Sequence, residues 1–139
     1  MLVKEAMVTE VVSIDKNKSI FDACQIYKKF KIGCLLVTDS ERCVGIVTER
    51  NIIERTICEH KDPENTKIYE IMSSDIKTIN PLNTLEEAVI VMNKNNVKKL
   101  PVIQNDDIVG IITVTDISRA QLKSSDRYNE SDLKTMWED

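Results

Sequence analysis

Histidine is almost missing from this sequence: one residue, His60, in 139. The four cysteines, Cys24, Cys34, Cys43 and Cys58, contain no CxxC pair, so no zinc-site spacing is present. They read as small buried hydrophobes in a reducing compartment. Also absent is any apolar run near the roughly 18 residues of a membrane span. Glu5 and Glu10 interrupt the stretch where a signal peptide would need its apolar core, so a soluble, cytoplasmic protein is expected. A net charge of −4 and six aromatic side chains provide no basic field, which speaks against a dedicated nucleic-acid binder. With no Walker loop, no GxGxxG and no nucleophile set beside a base, the chain does not read as an enzyme, and no metal or required cofactor is expected.

Glycine is scarce too, and its placement is informative. Of three glycines, Gly45 and Gly110 lie 65 residues apart and open near-identical stretches, GIVTERNI and GIITVTDI. Sliding the sequence by that interval aligns 3–57 with 68–122 without a gap. Glu5/Glu70, Met7/Met72, Ala23/Ala88, Leu35/Leu100 and Thr48/Thr113 are among the identical pairs. The chain is therefore a duplication: residues 1–57, a polar linker over 58–67 containing Pro63, residues 68–122, and a charged tail over 123–139. A glycine inside a strand weakens it unless the backbone is closely approached; a bulge, packing against the other copy, or a ligand would each account for the pair.

Each copy reads as β-α-β-β-α. A short helical turn (Val3 to Met7, Ile68 to Met72) precedes a strand (Val11 to Ile14, Ile76 to Ile79). Ser19 with Asp22, and Thr84 with Glu87, have capping-box spacing and start an amphipathic helix. Its apolar positions are Ile20, Ala23, Cys24, Tyr27 and Phe30 in one copy, and Leu85, Ala88, Val89 and Met92 in the other. Gly33 is expected to cap the first of these helices in the left-handed region, and Asn95 or Asn96 the second. Two strands apolar on both faces follow, Cys34 to Thr38 with Cys43 to Val47, and Leu100 to Ile103 with Ile108 to Ile112. Closing helices run from Glu49 to Cys58 and from Val114 to Leu122. About 55 residues are marginal alone, so the copies are expected to pack together. In the tail, Leu133, Met136 and Trp137 have helical spacing after Ser131.

Thr113 and Asp116 straddle the corner from strand to last helix. Free N–H groups and the positive helix end there attract phosphate, and a carboxylate suits the adjacent hydroxyls of a ribose. The same two residues could simply cap the helix. In the first copy Thr48 is retained, but Asn51 replaces the aspartate and Leu36 stands where Pro101 stands in the second. An amide lacks the carboxylate's pair of charge-assisted acceptors, so the second corner is expected to bind more tightly. Arg50, Lys98 and Arg119 are candidates for phosphate contacts.

With the VKEAM and IYEIM openings, the Leu100-Pro101-Val102 strand entry and the two closures, the chain resembles a tandem pair of cystathionine-β-synthase-type (CBS) domains, a Bateman module, over residues 3–122. The resemblance implies an α+β fold in which two β-α-β-β-α repeats pack sheet to sheet with pseudo-two-fold symmetry. It also implies clefts between them for AMP, ADP, ATP or S-adenosylmethionine. Thr113 and Asp116 would hold ribose and phosphate, with Ile76, Lys77, Thr78, Lys99, Leu100, Pro101 and Ile111 around the base. Thr48, Asn51, Ile46, Val11, Val12 and Ser13 would form a weaker first-copy site. The function implied is a regulatory sensor, a homodimer signalling to a separate protein. The rival reading is an interaction scaffold with empty clefts, or a weak nucleic-acid binder using Lys98 and Lys99.

Overall fold

The computed structural model describes residues 1–124; the expected tail helix lies outside the described residues. The elements run α1 (Val3–Ala6), β1 (Ser13–Asp15), α2 (Ile20–Phe30), β2 (Cys34–Asp39), β3 (Arg42–Thr48), α3 (Glu49–Ile52), a π turn (Ile53–Ile57), α4 (Ile68–Ile71), α5 (Leu85–Asn95), β4 (Lys99–Gln104), β5 (Asp107–Thr113) and α6 (Val114–Ser124). This is the α+β class expected.

The duplication in sequence is not the division in space. One compact unit comprises Val11–Ile76; the other joins Met1–Glu10 to the described residues from Lys77 to Ser124. The opening turn of each copy is thus built into the other copy's fold. In the first unit, Ile68 N–H donates to Lys18 O at 2.9 Å and Tyr69 N–H to Lys16 O at 3.1 Å. In the second, the counterparts are Val3 N–H to Asn83 O at 2.8 Å and Lys4 N–H to Pro81 O at 3.0 Å. Each unit has its own core. Ile14, Ile20, Ala23, Leu35, Val37, Val47 and Ile52 close around Ile68 and Ile71 of α4. Ile79, Leu85, Ala88, Met92, Leu100, Val102, Ile112 and Ile117 close around Val3 of α1.

This exchange explains the paired glycines. A Cβ at Gly45 would lie 2.7 Å from Met72 Sδ and 2.9 Å from Ser73 O; at Gly110 it would lie 2.7 Å from Met7 Sδ and 2.8 Å from Val8 O. The segment after each opening turn bridges the glycine-bearing strand, Val8 with Ile111 and Ser73 with Ile46. Close packing of backbone on backbone therefore excludes a side chain. Strand pairing also shifts register beside each glycine, between Val37 and Thr38 and between Val102 and Ile103.

Both capping boxes form. Asp22 N–H donates to Ser19 Oγ and Glu87 N–H to Thr84 Oγ1, each at 3.1 Å. The left-handed C-cap of α5 is Asn96, as expected, but that of α2 is Lys31 with φ 54°, not Gly33. Both helices have the same length, so the turn falls two residues before the glycine, and no glycine in the chain has positive φ. Phe30, expected on the core face of α2, is exposed at the helix end with Lys29 Nζ 5.3 Å from its ring centre. Cys58 is likewise exposed rather than buried, because the closing helix ends there; Cys24, Cys34 and Cys43 are half-buried. Burial pushes the Cys24 and Cys43 thiols up.

β1-β2-β3 form a three-stranded sheet, β1 parallel to β2 and β2 antiparallel to β3; β4 and β5 form an antiparallel pair. Only the middle of β2 and β4 is buried on both faces. β3 and β5 alternate over their buried halves, contrary to the expectation of uniform burial. The expected strand Ile76 to Ile79 shrinks to one parallel bridge, Ile79 with Val102. Two prolines account for that loss. In the first copy Leu36 N–H donates to Val12 O at 3.3 Å and Lys16 N–H to Thr38 O at 2.9 Å. The residues 65 positions on are Pro101 and Pro81, which have no N–H to give.

Candidate functional site

Thr113 ends β5 and starts α6, and the corner closes on itself. Thr113 N–H donates to Asp116 Oδ2 at 2.9 Å, and Asp116 N–H to Thr113 Oγ1 at 3.1 Å. Val114 N–H donates to Lys98 O at 3.0 Å. Two of the N–H groups expected to attract phosphate are therefore already occupied, and the capping alternative is realised. The cap does not exhaust the carboxylate, because Oδ1 makes no hydrogen bond among the described residues. The first-copy corner repeats the geometry: Thr48 N–H to Asn51 Oδ1 and Asn51 N–H to Thr48 Oγ1, both 3.1 Å. Here the cap consumes the only oxygen of the amide and leaves an NH2 donor. The two corners thus differ in sign: one offers an acceptor, the other a donor.

A cavity of about 350 Å³ opens beside Asp116, within the usual range for small-molecule sites. It is lined by Met1, Glu5, Ala6 and Val8 from the opening segment and by Asp116, Arg119, Ala120, Lys123 and Ser124 from α6. Of the candidates named from sequence, this cavity joins Asp116 and Arg119. The α1 side of the wall was not foreseen, since it depends on the exchange of opening turns; the signal for it was the paired glycines.

The remaining candidates lie elsewhere. Leu100 is wholly buried in its unit's core, and Pro101 is also buried. Ile111 exchanges both backbone hydrogen bonds with Val8 at 2.9 Å, and Ile46 does the same with Ser73. Lys99 pairs with Thr113 across the strands. Lys77 and Ile76 are half-buried, and Thr78 is exposed, in the segment the prolines leave out of the sheet. Val11 and Val12 precede β1, and Ser13 begins it, opposite Leu36. Arg50 is exposed and held by Glu54, Nε to Oε1 at 2.7 Å; the pairing raises its pKa. Lys98 is exposed beside the corner.

The sequence model of the CBS domain matches residues 3–57 and 68–123. The chain belongs to the CBS domain family. This CBS pair is 29% identical over 122 residues to the CBS domain-containing protein YhcV of Bacillus subtilis, covering 88% of this chain and 86% of that protein. It is 35% identical over 114 residues to the inosine-5'-monophosphate dehydrogenase of Nitrosopumilus maritimus, covering 81% of this chain but only 22% of the dehydrogenase. Among solved structures it superimposes on the CBS domain pair of protein MJ0100 with a TM-score of 0.79 and 29% identity, over 89% of this chain and 98% of that one. That pair was solved in complex with 5'-methylthioadenosine and S-adenosyl-L-methionine. Among the described residues no helix is long and apolar enough to cross a membrane.

Proposed function

We propose that this CBS pair is a non-catalytic sensor that takes up an adenosyl ligand at the Thr113–Asp116 corner and signals to a separate protein. The observation that carries the reading is Asp116, which closes the cap with one oxygen, makes no hydrogen bond through the other among the described residues, and lines the cavity. That acceptor suits a ribose hydroxyl, and Arg119 on the same wall supplies positive charge for a phosphate or carboxylate further along the ligand. The adenosyl compounds bound by the CBS pair of MJ0100 support the ligand class. Ile53 and Ile57, 55% and 58% exposed and four residues apart on one turn, support a homodimer by offering apolar surface for a second copy. Binding acts on a partner only insofar as the ligand prefers one arrangement of the module.

Isothermal titration with AMP, ATP and S-adenosylmethionine tests this. Asp116→Ala is expected to weaken binding about tenfold or more, the loss of a charge-assisted acceptor, and Asn51→Ala to change it little. Equal losses would remove the asymmetry between the corners. In thermal melts a ligand at 100 times its Kd should add about 2.7 kcal/mol. A flat response to all three compounds would favour an interaction scaffold with empty clefts.

A further inference from the structure

The wall that is open in one unit is crossed in the other. Exchanging each residue of the cavity lining for its counterpart 65 positions away in the other copy replaces Ala6 with Ile71, Val8 with Ser73, Ala120 with Arg55, Arg119 with Glu54 and Asp116 with Asn51. Arg55 reaches over this counterpart wall: its Nη1 donates to Ile71 O at 2.8 Å and to Ser73 Oγ at 3.2 Å. Those two residues occupy the places of Ala6 and Val8, which line the cavity in the other unit. Arg55 also lies within the π turn Ile53–Ile57, where α6 is a regular helix at the same position of its copy. Glu54, in the place of Arg119, puts negative charge where the open cavity has positive, and Arg50 engages it.

We propose that Arg55 occupies the first-copy counterpart of the cavity, so that each chain takes up one adenosyl ligand and not two. The proposal rests on the reading of the Thr113–Asp116 corner as the ligand site. Three substitutions act in the same direction there. Asn51 presents a donor, Glu54 stands where Arg119 supplies a cation in the other copy, and the Arg55 guanidinium fills the space. Arg55 is the decisive one, since the other two weaken an interaction whereas it takes up the volume the ligand needs. The duplicated scaffold already accommodates alanine at this position, as Ala120 shows.

Titration of the full chain with AMP, ATP and S-adenosylmethionine, read as ligands bound per chain, tests this. Wild type is expected to bind one. Arg55→Ala is expected to bind two, the second about tenfold more weakly because Asn51 lacks the carboxylate. Ala120→Arg is expected to bind none, and Ala120→Met, which fills the cavity without adding charge, to weaken the single site. Circular dichroism melts of each variant establish that it is folded. Two ligands on wild type, or one on both wild type and folded Arg55→Ala, overturns the proposal. If wild type binds none while Arg55→Ala binds one, the occlusion stands and the Thr113–Asp116 reading falls. If neither binds any of the three compounds, both fall.

Discussion

A glycine can be required by what touches it and not by its backbone angles, and Gly110 is such a case. Its φ is not positive, so alanine meets no conformational penalty and would even restrict the unfolded chain by about 0.4–1 kcal/mol in favour of folding. Contact decides the sign. The added Cβ falls 2.8 Å from Val8 O, a backbone atom fixed by the paired hydrogen bonds between Val8 and Ile111. Overpacking of this kind costs about 1–3 kcal/mol, so Gly110→Ala, and Gly45→Ala by the same reasoning against Ser73 O, should lower stability in urea melts. Wild-type stability in either variant would mean that the opening segment yields. The pairing of these glycines was visible in the sequence, but their partner was not, because it comes from the other copy. Asp116 shows the complementary limit. The sequence offered capping and ligand binding as alternatives, whereas one carboxylate has two oxygens and the cap uses one.

Elements were legible where local chemistry alone specifies them. The capping boxes at Ser19 and Thr84 and the helices that start behind them needed no distant information. Ile76 to Ile79 reads as a strand by its place in the repeat, opposite Val11 to Ile14, while the missing donors lie on other segments, at Pro81 and Pro101. The first copy allows that explanation to be tested. Leu36→Pro removes the Leu36 N–H bond to Val12 O, worth about 0.5–1.5 kcal/mol, and trims a buried side chain at a further cost of the same order. It should destabilise the chain by about 2 kcal/mol and speed hydrogen exchange at Lys16 N–H, which bonds Thr38 O at the other end of the β1–β2 pairing. Unchanged exchange at Lys16 would mean that something other than the proline sets the length of this strand.

On the scale of the whole molecule, the repeat and the folding unit are different objects, and only the repeat can be read by sliding the sequence along itself. Their difference matters to the candidate site, since Glu5, Ala6 and Val8 on one wall come from the first repeat and Asp116, Arg119 and Ala120 on the other from the second. It also separates two fragments of similar length. Fragment 1–57 holds one full sequence repeat but lacks Ile68 and Ile71, both part of its core, and its own α1 has no second-copy sheet to dock on. Fragment 11–76 contains the compact unit, including the pairing of Ser73 with Ile46 that covers Gly45. Burying two isoleucines contributes about 3–6 kcal/mol, as much as the whole stability of a core this small, so their presence decides whether the fragment folds. Fragment 11–76 should therefore show dispersed amide resonances and a cooperative urea transition, and fragment 1–57 neither. Cooperative unfolding of 1–57 with a midpoint equal to that of 11–76 would mean that the opening turns are attachments, in which case the α1 wall of the cavity could be removed without loss of the fold.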